Sequence, residues 1–179
     1  MTFQIKPSLD WKIATITILS TTLLILDDYH LFTSSKLIDR NILYLLIPLF
    51  TIIFIFRESP ARYGFQFGDW REGLKLTILA ILLMTPILWW LLRANTGMQD
   101  YYAYLAPGLP WNTFLDLLGW EFLFRGFLLF GYARKFGDDA LWIQAVPFAL
   151  AHIDKPEIET LSTIFGGFVF GWIAWRSKS

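Results

Sequence analysis

Glu121 and Arg125 stand four residues apart in an otherwise apolar stretch, and Phe148 and His152 repeat that spacing one segment later. On a helix, side chains four apart share a face, and an acid placed N-terminal to its base is the favoured order for an ion pair. Pro147, beside the second pair, is placed to bend its helix and free a backbone carbonyl. Two readings follow. In one, Glu121, Arg125 and His152 converge as a site holding a carboxylate, a guanidinium and an imidazole. In the other, Glu121 and Arg125 neutralise each other as a structural pin, and His152 sits at the surface beside Asp154. Other candidates are poorer. His30 with Asp27 and Asp28 follows an apolar run, and Asp116 lies near the start of a later one. Ser20, Ser59 and Ser162 stand in no G-x-S-x-G elbow, there is no H-E-x-x-H, and the absence of cysteine excludes thiolate ligands, disulfides and a cysteine nucleophile.

The elements that must position these residues are apolar to a degree that points to lipid. Of the 179 residues, 55% are hydrophobic and 17% charged, against about 45–50% and about 25% in an ordinary soluble domain. The 9 Trp and 17 Phe suit helices that meet hydrocarbon and headgroups. Net charge is zero, so no basic field argues for nucleic acid. The fold expected is all-α, a polytopic bundle of about six membrane segments forming one domain over residues 1–179. The segments are Ile13 to Leu26, Asn41 to Phe56, Leu76 to Leu92, Trp111 to Phe136, Leu141 to Ile153 and Leu161 to Trp175. The first is read as a retained helix, because Asp27, Asp28, Tyr29 and His30 follow it in place of a small-residue cleavage site. The second and third are bounded by Arg or Lys at both ends, which can snorkel to the headgroups. In the fourth, Asp116, Glu121 and Arg125 are costly at membrane depth and are expected to face the bundle interior or a wet cleft. In the sixth, Gly167 and Gly171 have the G-x-x-x-G spacing that lets helices approach closely. The stretch from Tyr101 to Trp111, with Pro107, Gly108 and Pro110, reads as an interfacial turn.

Six crossings would place Lys6, Lys12, Arg57, Arg62, Arg71, Lys75, Arg134, Lys135, Arg176 and Lys178 on one side, and only Lys36, Arg40, Arg93 and Lys155 on the other. The positive-inside rule then makes both termini cytoplasmic. The host membrane expected is a prokaryotic plasma membrane, and the lipid bilayer is the first partner. No pair of broken helices in corresponding halves suggests a transporter.

Glu121-Phe122-Leu123-Phe124-Arg125-Gly126 followed by Phe148-Ala149-Leu150-Ala151-His152 resembles the first two motifs, E-E-x-x-x-R and F-x-x-x-H, of the CPBP intramembrane protease family. That family includes the type II CAAX prenyl endopeptidases and bacteriocin self-immunity proteins. The similarity takes in roughly residues 57–175, including Gly64-Phe65 and the Gly-rich helix from Phe165 to Trp175. It implies an intramembrane metallo-endopeptidase that acts on a peptide or protein substrate, prenylated or not, from a site opening toward the cytoplasm. The implied cofactor is a divalent metal, zinc first. The implied site residues are Glu121, Arg125 and His152, with Glu121 and His152 as metal ligands. The sequence departs from the family twice. Trp120 stands where the first glutamate, the water-activating one, is expected, and no third, His-containing motif occurs up to Ser179. One residue of offset turns a helical side chain by about 100°, so Glu121 would need a rotated helix to replace that glutamate. Catalytic zinc usually takes three protein ligands, so the expectation is either a chain that stops short of its last helix or a member with altered catalysis. The alternative is a non-catalytic membrane protein of the same fold that binds a peptide or a partner helix.

Overall fold

The computed structural model describes residues 9–179; Lys6, counted above on the basic side, lies outside the described residues. The elements are α1 (Trp11–Tyr29), α2 (Lys36–Ile55), α3 (Trp70–Ala94), α4 (Thr96–Leu105), α5 (Trp111–Glu121), α6 (Leu129–Phe136), α7 (Ala140–Leu150) and α8 (Glu157–Ser177). α2 contains two π-helical stretches, Ile42–Leu46 and Thr51–Ile55, and a third, Phe122–Leu128, joins α5 to α6 without a break. Among the described residues there is no strand, so the all-α expectation holds. Three helices, α2, α3 and α8, are long and apolar enough to cross a membrane. Each of the six expected segments falls mainly on helix, the fifth, Leu141 to Ile153, running past the end of α7 at Leu150 into a turn. α7, with 11 residues, rises only about 16 Å, half of a hydrocarbon layer of roughly 30 Å. The turn that follows it, with His152, therefore stays within the bundle.

Local chemistry explains the ends. Asp10 caps α1 by accepting from the amides of Lys12 and Ile13 at 3.0 and 3.2 Å, and Asp69 caps α3 through the Glu72 amide at 3.1 Å. The stretch from Tyr101 to Trp111, expected as a turn, is helical as far as Leu105. The reason is Asn95, whose side chain accepts from the Met98 amide at 3.1 Å and starts α4.

The core is aromatic. Phe56, Tyr63, Phe122, Phe124 and Phe127 are buried together with Leu123, Leu128 and Leu129 where α1, α2 and the α5–α6 helix meet. α7 and α8 pack so closely that a Cβ on Gly167 would lie 3.1 Å from the Ala145 Cβ, and one on Gly171 would lie 2.7 Å from Gln144 Nε2. The G-x-x-x-G spacing thus seats Gln144, which is fully buried and donates to the carbonyls of Leu141 and Gly167 at 3.0 and 2.7 Å. By contrast α3 is almost bare, with Leu76 its only buried residue. An apolar helix left uncovered in this way presents the surface that lipid tails cover.

The ends of the bundle carry different charges. At one end Glu58 accepts from Lys12 at 2.5 Å, from Tyr63 at 3.0 Å and from Arg134, joining α1, α6 and the loop after α2. The Arg134 bond, opposed by burial and helped by Lys12 and Tyr63, holds the Glu58 carboxyl well below its usual range, at about 2. Arg176 pairs with Glu72 at this same end, and Asp69 N donates to Ser177 O at 2.7 Å. At the opposite end Asp27 pairs with Lys36 and Arg40, and Arg40 also pairs with Asp116 at 2.8 Å.

Candidate functional site

The site is built from α5, the π-helical stretch after it, and α7 with its C-terminal turn. Phe148 is its centre. The His152 ring lies 4.4 Å from the Phe148 ring, and the Arg125 guanidinium carbon lies 3.9 Å above the same ring. Arg125 and His152, 27 positions apart in sequence, therefore pack on one aromatic ring. Phe124 closes the cluster edge-on at 5.2 Å.

Arg125 is buried, with its side chain 5% exposed, and Nε lies 3.4 Å from Glu121 Oε2. Neither Nε, Nη1 nor Nη2 has a hydrogen-bond partner. Besides Phe148, the rings of Phe170 and Phe124 lie 5.5 and 5.9 Å from the guanidinium. Glu121 itself is 47% exposed, turned to the outside of the bundle. The α5–π–α6 helix does not rotate it inward. The π-helical stretch begins only at Phe122, after the residues whose phase matters here, and Trp120 keeps the inner position.

His152 is oriented by two bonds. Its Nδ1 lies 2.7 Å from the Phe148 carbonyl, which can only accept, so Nδ1–H donates and the neutral ring carries its lone pair on Nε2. Its own carbonyl accepts from Thr160 Oγ1 at 2.5 Å, fixing the turn against the start of α8. Pro147 sits one turn before that turn, and the Ala151 amide donates to its carbonyl at 3.0 Å.

Trp120 packs edge-on against His152 at 5.7 Å and Tyr44 at 5.4 Å, and stacks on Phe124 at 5.4 Å. The Arg40 guanidinium lies 5.3 Å from its ring. Arg40 and Asp116 thus extend the site toward the Asp27 end, a connection absent from local sequence spacing. The one available signal was Asp116, a charge inside the fourth apolar segment that needs a partner, while Arg40 stood only as a flanking residue of the second. Asp116 is an ion-pair partner on the second helical turn of α5. His30 packs on Phe32 at 5.5 Å, while the Asp27 carboxylate goes to Lys36 and Arg40.

A zinc centre requires converging donors. Among the described residues no group of three or more His, Asp or Glu side chains is placed to hold a metal ion. His152 offers one ring nitrogen, and Glu121 points to the outside. These two residues do not make a zinc site on their own, since such sites draw three protein ligands. A surface groove lined by Arg62, Phe130, Ala133, Arg134 and Trp175 lies at the Glu58 end.

No curated protein and no solved structure matches the chain. Residues 106–179 match the model of a family described as type II CAAX prenyl endopeptidase Rce1-like. The matched span contains Glu121, Arg125, Phe148 and His152, and it is over these residues that the chain is similar to the Rce1-like type II CAAX prenyl endopeptidases.

Proposed function

We propose that the protein is an intramembrane endopeptidase of the CAAX protease-like kind, embedded in a prokaryotic plasma membrane with both termini cytoplasmic. The observation that carries this reading is the meeting of Arg125 and His152 on Phe148 inside the span that matches the Rce1-like family. His152, with Nδ1–H held by the Phe148 carbonyl, presents Nε2 as a base or ligand atom of fixed direction. Arg125 holds three unsatisfied donors at membrane depth, which suit a peptide carbonyl or carboxylate oxygen. Buried donors without acceptors are costly, and a ligand that supplies acceptors relieves that cost. Glu121 is the remaining carboxylate of the first motif and pairs with Arg125 from the outside. The family resemblance implies a divalent metal, but the donor set here, His152 with an outward-facing Glu121, does not fit one by itself.

The test is peptide cleavage by the protein reconstituted in lipid, offered membrane-anchored peptides with and without a prenyl group. Cleavage lost in His152→Ala and Arg125→Met, with both variants still folded, supports the endopeptidase. Cleavage that survives both substitutions defeats it. The second reading is a non-catalytic protein of the same fold that binds a peptide or partner helix. It is favoured by Trp120 in the place of the water-activating glutamate and by the lack of a metal-holding trio among the described residues. In that case the same peptides bind and stay intact.

A further inference from the structure

We propose that the groove at the Glu58 end holds the phosphate of an anionic phospholipid, with Arg62 and Arg134 as its ligands and the Phe130 and Trp175 rings as the floor for its first acyl carbons. The proposal goes beyond the peptide-handling role of the His152 site. It needs neither that role nor a choice of membrane side.

The groove is walled by three elements: the short 3₁₀ turn Pro60–Tyr63 after α2, which carries Arg62, then α6 with Phe130, Ala133 and Arg134, and the last turn of α8 with Trp175. Its volume is about 470 Å³, within the roughly 300–1,000 Å³ of small-ligand sites. The walls hold each other in place. Gly64 closes the 3₁₀ turn at φ 74°, so close to α6 that a Cβ there would lie 2.5 Å from the Phe130 ring. Phe130 in turn stacks on Trp175 at 5.8 Å. Arg134 lies 4.5 Å over the Tyr63 ring and gives Nη2 to Glu58. Its Nε and Nη1 have no acceptor among the described residues, and its side chain stays 30% exposed. Arg62 is exposed and has no acidic partner among the described residues.

Charge favours an anion. A second groove, which shares Arg134, adds Lys12 and Lys135 to the same end. The acidic groups beside these four cations are already committed. Glu58 accepts from Lys12, Tyr63 and Arg134, and Asp10 accepts from the amides that it caps. Two guanidinium forks facing one open space suit phosphate oxygens, which arginine binds through paired N–H donors.

Depth favours a lipid as the source of that phosphate. Trp175 lies two residues before the end of α8, a helix long and apolar enough to cross a membrane. Trp11 and Trp70, both exposed, open α1 and α3 at this same end, where Lys12 reaches Glu58 and Glu72 meets Arg176. Tryptophans at helix ends mark the border between hydrocarbon and headgroups, and basic pockets between membrane helices at that border take anionic headgroups. A free phosphate would use the two arginines and leave the aromatic floor bare. A phospholipid covers both.

The test uses the purified chain in mild detergent, titrated with phosphatidylglycerol or phosphatidylcholine and read by native mass spectrometry. Phosphatidylglycerol is expected to bind tighter than phosphatidylcholine, and Arg62→Gln is expected to weaken it about fivefold, the share of one basic side chain at an anionic lipid surface. Arg93→Gln removes a cation at the far end of α3, where it lies 4.0 Å over Trp89, and is expected to leave phosphatidylglycerol binding unchanged. Unfolding midpoints without added lipid check that each variant is folded. Should Arg62→Gln not fold, Arg62→Lys keeps the charge, loses the fork and is expected to bind the lipid more weakly than the wild type. Equal affinity for the two lipids overturns the proposal, as does wild-type affinity in the Arg62 variant, or an equal loss in Arg93→Gln, which would mean a diffuse charge effect. Sodium phosphate that displaces the lipid, against chloride of matched ionic strength, would show a free-anion site and overturn the proposal as well. Loss or survival of peptide cleavage bears on the endopeptidase reading alone.

Discussion

Arg125→Met separates a working guanidinium from a structural pin, because the two roles predict stability changes of opposite sign. The Arg125 side chain is 5% exposed, and its one ionic contact is a 3.4 Å approach to Glu121, which is 47% exposed. A pair so open on one side contributes roughly 0–1 kcal/mol. The Phe148 ring at 3.9 Å adds about 2 kcal/mol as a desolvated cation–π contact. Against these stands the cost of burying a guanidinium with no hydrogen-bond acceptor on any nitrogen, several kcal/mol even after relaxation. Methionine keeps the length and apolar stem of the side chain and regains about 0.3–1.5 kcal/mol through sulfur–aromatic contact. The expected outcome is a gain of about 1–3 kcal/mol, in line with buried ion pairs replaced by apolar groups, together with loss of peptide cleavage or binding. Thermal unfolding in mild detergent reads the first and the reconstituted peptide assay the second. A destabilisation of more than about 1 kcal/mol would refute this reasoning, since it would show that the protein relies on the pair for its fold. A double-mutant cycle with Glu121→Gln should give a coupling below about 1 kcal/mol.

Three further outcomes are expected. The Glu58 carboxyl, held at about 2 against an ordinary 4.5 by Arg134, Lys12 and Tyr63, contributes stability that is fully present above pH 4.5 and lost as the pH falls toward 2. Unfolding midpoints measured down that range should drop in the wild type and stay flatter in Glu58→Gln, which itself should cost about 1–2 kcal/mol at neutral pH. Gly126→Ala should cost about 1–3 kcal/mol, because its Cβ would meet the Tyr63 carbonyl at 2.9 Å and Phe122 at 2.8 Å. Gly166→Ala, which meets nothing within 4 Å, should be neutral or stabilise by up to about 1 kcal/mol, and equal effects at the two positions would contradict the packing described. Elemental analysis of the purified chain should find zinc well below one equivalent, since His152 and Glu121 do not converge as a ligand set with a third donor; one equivalent, lost in His152→Ala, would show that the ligands had been misidentified.

The transmembrane character was legible because the apolar runs are long and bounded by Arg and Lys. Glu121 with Arg125, and Phe148 with His152, were legible because helical neighbours sit at fixed offsets. What stayed hidden depends on contacts between distant segments. Nothing local ties Arg40 to Asp116, 76 positions on, or Glu58 to Lys12 and Arg134. α4 was missed because Thr96–Leu105 is mixed in polarity and lacks a clear apolar stripe, so its cap Asn95 was the main cue. Gln144 was within reach: an amide side chain in an apolar segment needs partners, and Gly167 and Gly171 on the next segment leave room for one.

Trp120 shows how the site is balanced without the glutamate that the resemblance expects there. Asp116 is four residues before it, on the same helical face, and its carboxylate neutralises the Arg40 guanidinium that lies over the Trp120 ring. The negative charge on this face therefore sits one helical turn, about 6 Å, farther out than position 120, while the position beside His152 is filled by an indole. An indole can donate one hydrogen bond but cannot accept a proton. Of the two residues carried over from the motifs, His152 offers Nε2, whose lone pair is set by the Nδ1 bond to the Phe148 carbonyl, and Glu121 offers its carboxylate on the outer face. Of these two, only His152 is inside the aromatic cluster that also holds the unsatisfied donors of Arg125. In the proposed endopeptidase the imidazole and the guanidinium, rather than a glutamate pair, are thus the groups at the centre of the site.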